Sequence, residues 1–130
     1  MIKKIFIISF FLLTALAACG NSNYLNVNVH QLKKAIASRQ NILILDVRTT
    51  GEYTGELGHI AGSKLIPLHL LSNSLEQISG FKNLPVYVIC RSGNRSISGS
   101  TILAENGFKK VYNVEGGMRA WNSAGYPISR

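Results

Sequence analysis

The sequence predicts a single α/β domain with a mainly parallel sheet and helices on both faces. Three observations carry this. "NILILDV" (41–47) is a continuous apolar run bounded by polar residues, which suits a strand buried on both faces. "PVYVIC" (85–90) is β-branched and aromatic, and "KKVYNV" (109–114) reads as a further strand. Between these runs lie stretches with helical spacing, and alternation of this kind argues for a parallel sheet. The composition, 46% hydrophobic and 15% charged over 130 residues, allows one domain of moderate size.

In chain order, "MIKK" followed by "IFIISFFLLTALAA", an apolar run of fourteen residues, reads as an export signal, residues 1–18. Spanning a bilayer takes about twenty apolar residues, so the run is short for an anchor. It ends in "LAAC", which resembles a bacterial lipobox. That resemblance implies cleavage before Cys19 and acylation of its thiol. Residues 19–26 then read as a lipidated polar tether and 27–130 as the domain, on the outer, periplasmic side of a bacterial membrane. Asn28 and Gln31 form an N-terminal capping signature for a helix with apolar positions Val29, Leu32, Ile36 and Ala37. "RTTGEYTGELGHIAGS" (48–63) reads as a loop, "KLIPL" as a short extended segment and "HLLSNSLEQIS" as one helix. "NRSISGSTILAENG" predicts a helix whose inner side is Ile97, Thr101, Ile102 and Ala104, stopped at Gly107. "GGMRAWNSAG" closes the domain, with Trp121 expected to cover the core.

Removing Lys3 and Lys4 leaves twelve basic against six acidic side chains. The lysines stand in scattered pairs without a basic block or interleaved aromatics, so nucleic acid is not the expected partner. A basic surface that favours small anions is. No His, Cys or Asp pair has ligand spacing, and neither a metal nor a cofactor is expected. With Cys19 carrying lipid, Cys90 has no intramolecular partner. An unpaired thiol outside the cytoplasm points to complete burial or to use.

Cys90 ends a strand and a helix follows within a few residues. The backbone amides of Arg91 to Ser96 have no helical partners there and can converge on an anion. A thiol at that point is favoured as the thiolate. Arg91 and Arg95 add charge and forked donors, Gly93 lets the backbone turn, and Ser92, Asn94 and Ser96 offer further donors. These residues suit a reaction between a cysteine thiolate and a small anionic substrate.

"CRSGNRS", with "DVRTTGEYTGELGHIAGSKLIPL" before it and "GFKKVYNVEGGMRAW…GYPI" after it, resembles a single-domain rhodanese over about residues 26–128. The resemblance implies the rhodanese-like fold and sulfur transfer from a donor such as thiosulfate to cyanide or a thiol. Cys90 would carry the sulfur as a persulfide, with residues 91–96 as the substrate loop. By the same match Asp46 and Arg48 are a structural polar pair, and Glu52 falls where an acidic partner often stands. Ser63 and the polar "SGST" at 98–101 depart from the family pattern without touching the loop. Two other readings stay open. One is a cysteine phosphatase or arsenate reductase on the same fold, which the resemblance associates with a loop one residue longer. The other is a lipid-anchored module that binds an anion or a protein without turnover. His59 is expected to fix a loop by hydrogen bonding, and His30 and His69 to lie at the surface.

Overall fold

The computed structural model describes residues 23–130, so the export signal, the lipobox and Cys19 lie outside the described residues. Five strands form one parallel sheet: β1 (Tyr24–Val27), β2 (Leu43–Asp46), β3 (Lys64–Leu65), β4 (Pro85–Ile89) and β5 (Lys110–Val114). Side by side they run β1-β5-β4-β2-β3. The connections hold α1 (Val29–Ala37), α2 (Thr50–Tyr53), α3 (Leu68–Leu71), a 3-10 helix (Leu75–Phe81), α4 (Asn94–Glu105) and α5 (Gly117–Ser123). Among the described residues no helix is long and apolar enough to cross a membrane.

The continuous apolar runs are explained by two cores, one on each face. Successive strand residues point to opposite faces. Leu43, Leu45, Val86, Val88 and Val111 pack with Leu71, Ile78 and Leu103, beneath α3, the 3-10 helix and α4. Ile44, Tyr87, Ile89 and Val114 pack with Leu32, Met118 and Trp121, beneath α1 and α5. Trp121 is buried, as expected, and its indole N–H donates to the Pro127 carbonyl at 2.9 Å. The cap of α1 also forms as the sequence indicates. Asn28 Oδ1 accepts from the Gln31 amide at 2.9 Å, and the Asn28 amide donates to Gln31 Oε1 at 2.8 Å. Val29 and Leu32 are buried, but Ala37 is exposed and Ala35 packs in its place.

Four expectations are corrected. The stretch read as a tether through residue 26 includes β1, whose residues pair with β5 in the register Tyr24↔Val111 to Val27↔Val114. The segment 48–63 is not all loop. Thr49 and Glu52 cap each other reciprocally and start the single turn of α2. "HLLSNSLEQIS" is two pieces, α3 and the 3-10 helix, with Ser74 Oγ donating to the Leu70 carbonyl at the break. The inner face of α4 is Ser96, Gly99, Ser100 and Leu103, whereas Ile97 is 44% exposed.

The last correction has a steric cause. A Cβ on Gly99 would lie 3.1 Å from Val88 Cγ1 and 3.3 Å from Val47 Cγ1. At Gly99 the helix approaches the sheet too closely for a side chain, so small residues face inward there and Ile97 is turned out, while Ile102, as expected, packs against the core. Gly99→Val should therefore overpack this contact and lower stability by about 2 kcal/mol in urea denaturation. An unchanged midpoint would mean that the helix can lift off the sheet without loss.

Candidate active site

Strand β4 stops at Ile89, one residue earlier than the sequence indicates, so Cys90 is the first residue of the loop that leads into α4. Its thiol is 1% exposed and belongs to the core beneath α4, but its surroundings are polar. The Gly93 amide donates to Cys90 Sγ at 3.1 Å and the Ser96 amide at 3.4 Å. The thiol itself faces Ser96 Oγ at 3.4 Å, and that hydroxyl donates to the Gly93 carbonyl at 3.0 Å. Loss of the thiol proton would let the hydroxyl turn from the carbonyl to the sulfur and become a third donor. Gly93 caps α4 with φ of 109°, a left-handed conformation that side chains rarely adopt. Arg91, Ser92 and Asn94 are exposed at the mouth. Of the six loop residues expected to converge on the sulfur, Gly93 and Ser96 bond to it.

The loop rests on a backbone shelf that the sequence reading passed over. Gly116 and Gly117 both have positive φ and start α5. From there the Met118 amide donates to the Cys90 carbonyl at 2.8 Å, and the Arg119 amide to the Arg91 carbonyl at 3.0 Å. A Cβ on Gly117 would collide with the Cys90 carbonyl and come within 2.7 Å of the Arg91 backbone. The available signal was "GG" directly before a short helix, a pair that marks close backbone approach.

Asp46 and Arg48 are both buried, at 0% and 1% exposure, and form an ion pair at 2.7 Å. Arg48 Nε donates to both Asp46 carboxylate oxygens, at 3.0 and 3.1 Å. Its terminal nitrogens also reach the Gly58 carbonyl at 2.7 Å and the Glu52 carbonyl at 3.2 Å. The pair thus ties the end of β2 to α2 and the turn beyond it. From α2 the Glu52 carboxylate takes both terminal nitrogens of Arg95, at 2.6 and 2.7 Å. The Arg95 fork, expected to face a substrate oxyanion, is therefore held by Glu52. The contact places that arginine rather than leaving it free. His59 stacks on Tyr53 with centroids 3.7 Å apart and bonds the Tyr53 carbonyl through Nδ1 at 2.8 Å, the loop-fixing role expected of it. His30 meets the Tyr126 hydroxyl at 2.6 Å, and His69 is exposed.

Comparison with known proteins identifies the family. A family model described as a rhodanese-like domain matches residues 28–124. A sulfurtransferase of Allochromatium vinosum is 31% identical over 102 residues, covering 78% of this chain and 92% of that protein. YrkF of Bacillus subtilis is 37% identical over 95 residues, covering 73% of this chain; the chain spans 49% of that longer relative. The crystal structure of a rhodanese-like domain protein from Staphylococcus aureus superposes with a TM-score of 0.67. It is 33% identical and covers 82% of this chain and 99% of its own.

The contact between α2 and α4 has a measurable pH signature. The hydrogen bonds from Arg95 hold the Glu52 carboxyl down at about 2, against an ordinary 4.5, and Thr49 adds to the effect. The Arg95 guanidinium is correspondingly raised. A carboxyl lowered by folding stabilises the fold above its ordinary value, and this stability is lost as pH falls from 4.5 towards 2. Because the pair is partly exposed, solvent screening limits its worth to about 1 kcal/mol. Glu52→Gln should remove that contribution at pH 7 in urea denaturation and flatten the stability profile between pH 4.5 and 2.5. A profile as steep as that of the parent would place its origin in other carboxylates.

Proposed function

The chain belongs to the rhodanese-like domain family, and we propose that it is a sulfurtransferase with Cys90 as the sulfur carrier. The observation that carries this reading is the convergence of the Gly93 and Ser96 amides on Cys90 Sγ at the start of a helix. Donors aimed at a sulfur stabilise negative charge on it, both as thiolate and as persulfide. Among the described residues the sulfur bonds to Gly93 and Ser96 and to no histidine or carboxylate, so the environment of the anion replaces a general base.

In the proposed cycle the Cys90 thiolate attacks the outer sulfur of a small anionic donor such as thiosulfate. The S–S bond to that sulfur forms as the bond to the sulfonate sulfur breaks, and sulfite leaves with the electron pair. The loop holds the resulting Cys90 persulfide anion. A nucleophilic acceptor, cyanide or a thiol, then attacks the outer sulfur and restores the thiolate. Arg91, Ser92 and Asn94 meet the donor at the mouth. Arg95 acts from its place against Glu52, contributing charge beside the loop instead of a free fork. Asp46 and Arg48 position the walls. Arg95 stands five positions after Cys90, one fewer than the resemblance associates with phosphatases, and a loop of that length suits one sulfur rather than a tetrahedral phosphoryl group.

We also propose that the mature chain is lipid-anchored through Cys19 on the outer side of a bacterial membrane. The short apolar run and the small residues directly before Cys19 support this.

Incubation with thiosulfate should add one sulfur atom to the intact mass, and cyanide should remove it as thiocyanate. Cys90→Ala should abolish both steps; turnover surviving in that variant, or Cys90-dependent hydrolysis of an aryl phosphate by the parent, would overturn the assignment. Membrane fractionation tests the anchor. The native chain should sediment with membranes and Cys19→Ser should not, whereas identical sedimentation would reject acylation.

A further inference from the structure

The parallel sheet has two unlike ends: beside Cys90 acids and arginines are interleaved, whereas the lysines at the strand starts form no ion pair among the described residues. Around the carboxyl ends of the strands, beside Cys90, stand Glu52, Glu56 and Glu115, together with Arg48, Arg91 and Arg95. Glu52 is paired with Arg95, Glu56 lines a shallow pocket with Arg48 and Arg91, and the Glu115 amide bonds the Val27 carbonyl at the end of β1. At the opposite end the strands begin, and lysines gather. Lys110 opens β5 opposite Pro85, the first residue of β4. Lys109 precedes it, and its amide donates to the Lys82 carbonyl at 2.9 Å. Lys82, Lys109 and Lys110 are all exposed, and none is in an ion pair among the described residues. Glu105, at the close of α4, is the acid nearest in sequence. Beside the lysines Leu25 is 65% exposed, and it lines an open groove with Asn23, Lys109 and Lys110.

Asn23 is also where the chain enters the domain, immediately before β1 and four residues after Cys19. Four residues span at most ~14 Å. We infer that the lysine-bearing end of the sheet, with Leu25, lies against an anionic lipid surface and that Cys90 is turned away from it. This inference rests on the anchoring proposed above. A lipid on Cys19 holds Asn23, and with it Lys109 and Lys110, within reach of the headgroups. Clustered lysines next to an anchor add electrostatic attraction to anionic lipid and supply a second membrane signal. The exposed Leu25 gives that face an apolar contact. Because all five strands run the same way, fixing their start against the bilayer points their carboxyl ends, and the Cys90 loop, at solvent.

The test uses the full chain, purified in detergent and reconstituted into nanodiscs of phosphatidylglycerol or phosphatidylcholine carrying a nitroxide on the headgroup. In a Cys90→Ser background, single cysteines at exposed Asn83 (Asn83→Cys) and exposed Ser92 (Ser92→Cys) are labelled with a fluorophore. In phosphatidylglycerol the label at 83 should be quenched about three-fold more than the label at 92, and the ratio should fall in high salt. The triple substitution Lys82→Gln, Lys109→Gln and Lys110→Gln should bring the ratio close to one. Equal quenching in the parent, or stronger quenching at 92, would overturn the inference. Label taken up by the Cys90→Ser parent would mark Cys19 as free and reject the anchor. The facing is then read in Cys19→Ser protein, where it stands or falls on the same ratio.

Discussion

The buried ion pair of Asp46 and Arg48 is the constraint on which the site depends. Burying two charges is unfavourable unless their remaining hydrogen-bonding capacity is met. Here the guanidinium spends it on the Asp46 carboxylate and on two backbone carbonyls, of Gly58 and Glu52. A short helix and a turn with few apolar residues of their own are thereby held against the end of β2. Glu52 is then in place to hold Arg95 across the gap to α4. The chain of contacts from strand to arginine to carboxylate to arginine joins walls around Cys90 that are also packed on the two cores, through Leu103 on one side and Ile60 on the other.

Much of the fold was legible because its central strands are buried on both faces and so are written as unbroken apolar runs. The capping pair of Asn28 and Gln31 was equally readable, since both partners act within four residues. Errors arose where packing distance, not hydrophobicity, decides. The α4 face was misread because three of its four inward residues are Gly99 and two serines, chosen for size. β1 was missed because a four-residue edge strand with an exposed Leu25 and one asparagine, Asn26, whose amide oxygen accepts from Asn113, has no apolar run to show.

The candidate site was legible in its residues and less so in its geometry. Loop composition placed an anion-stabilising turn after Cys90, and the amides of Gly93 and Ser96 occupy that role in space. Composition alone does not say whether an arginine is spoken for. Arg95 looked free because its partner, Glu52, is 43 residues away in sequence. The shelf at Gly116 and Gly117 was marked by the glycine pair alone, since its contacts are between backbones and carry no side-chain signature.

That shelf bears on the cost of reorganisation. The carbonyls of Cys90 and Arg91 are already occupied by amides of α5, so neither can swing towards the sulfur. The Cys90–Arg91 and Arg91–Ser92 peptide planes are thereby fixed at the start of the turn that brings the Gly93 amide onto the sulfur, before any negative charge arrives. In the sulfur-transfer reading, charge can then move from thiolate to persulfide and back without the loop relaxing between states. The solvation that water would have to rearrange to provide is built into the backbone at the time of folding.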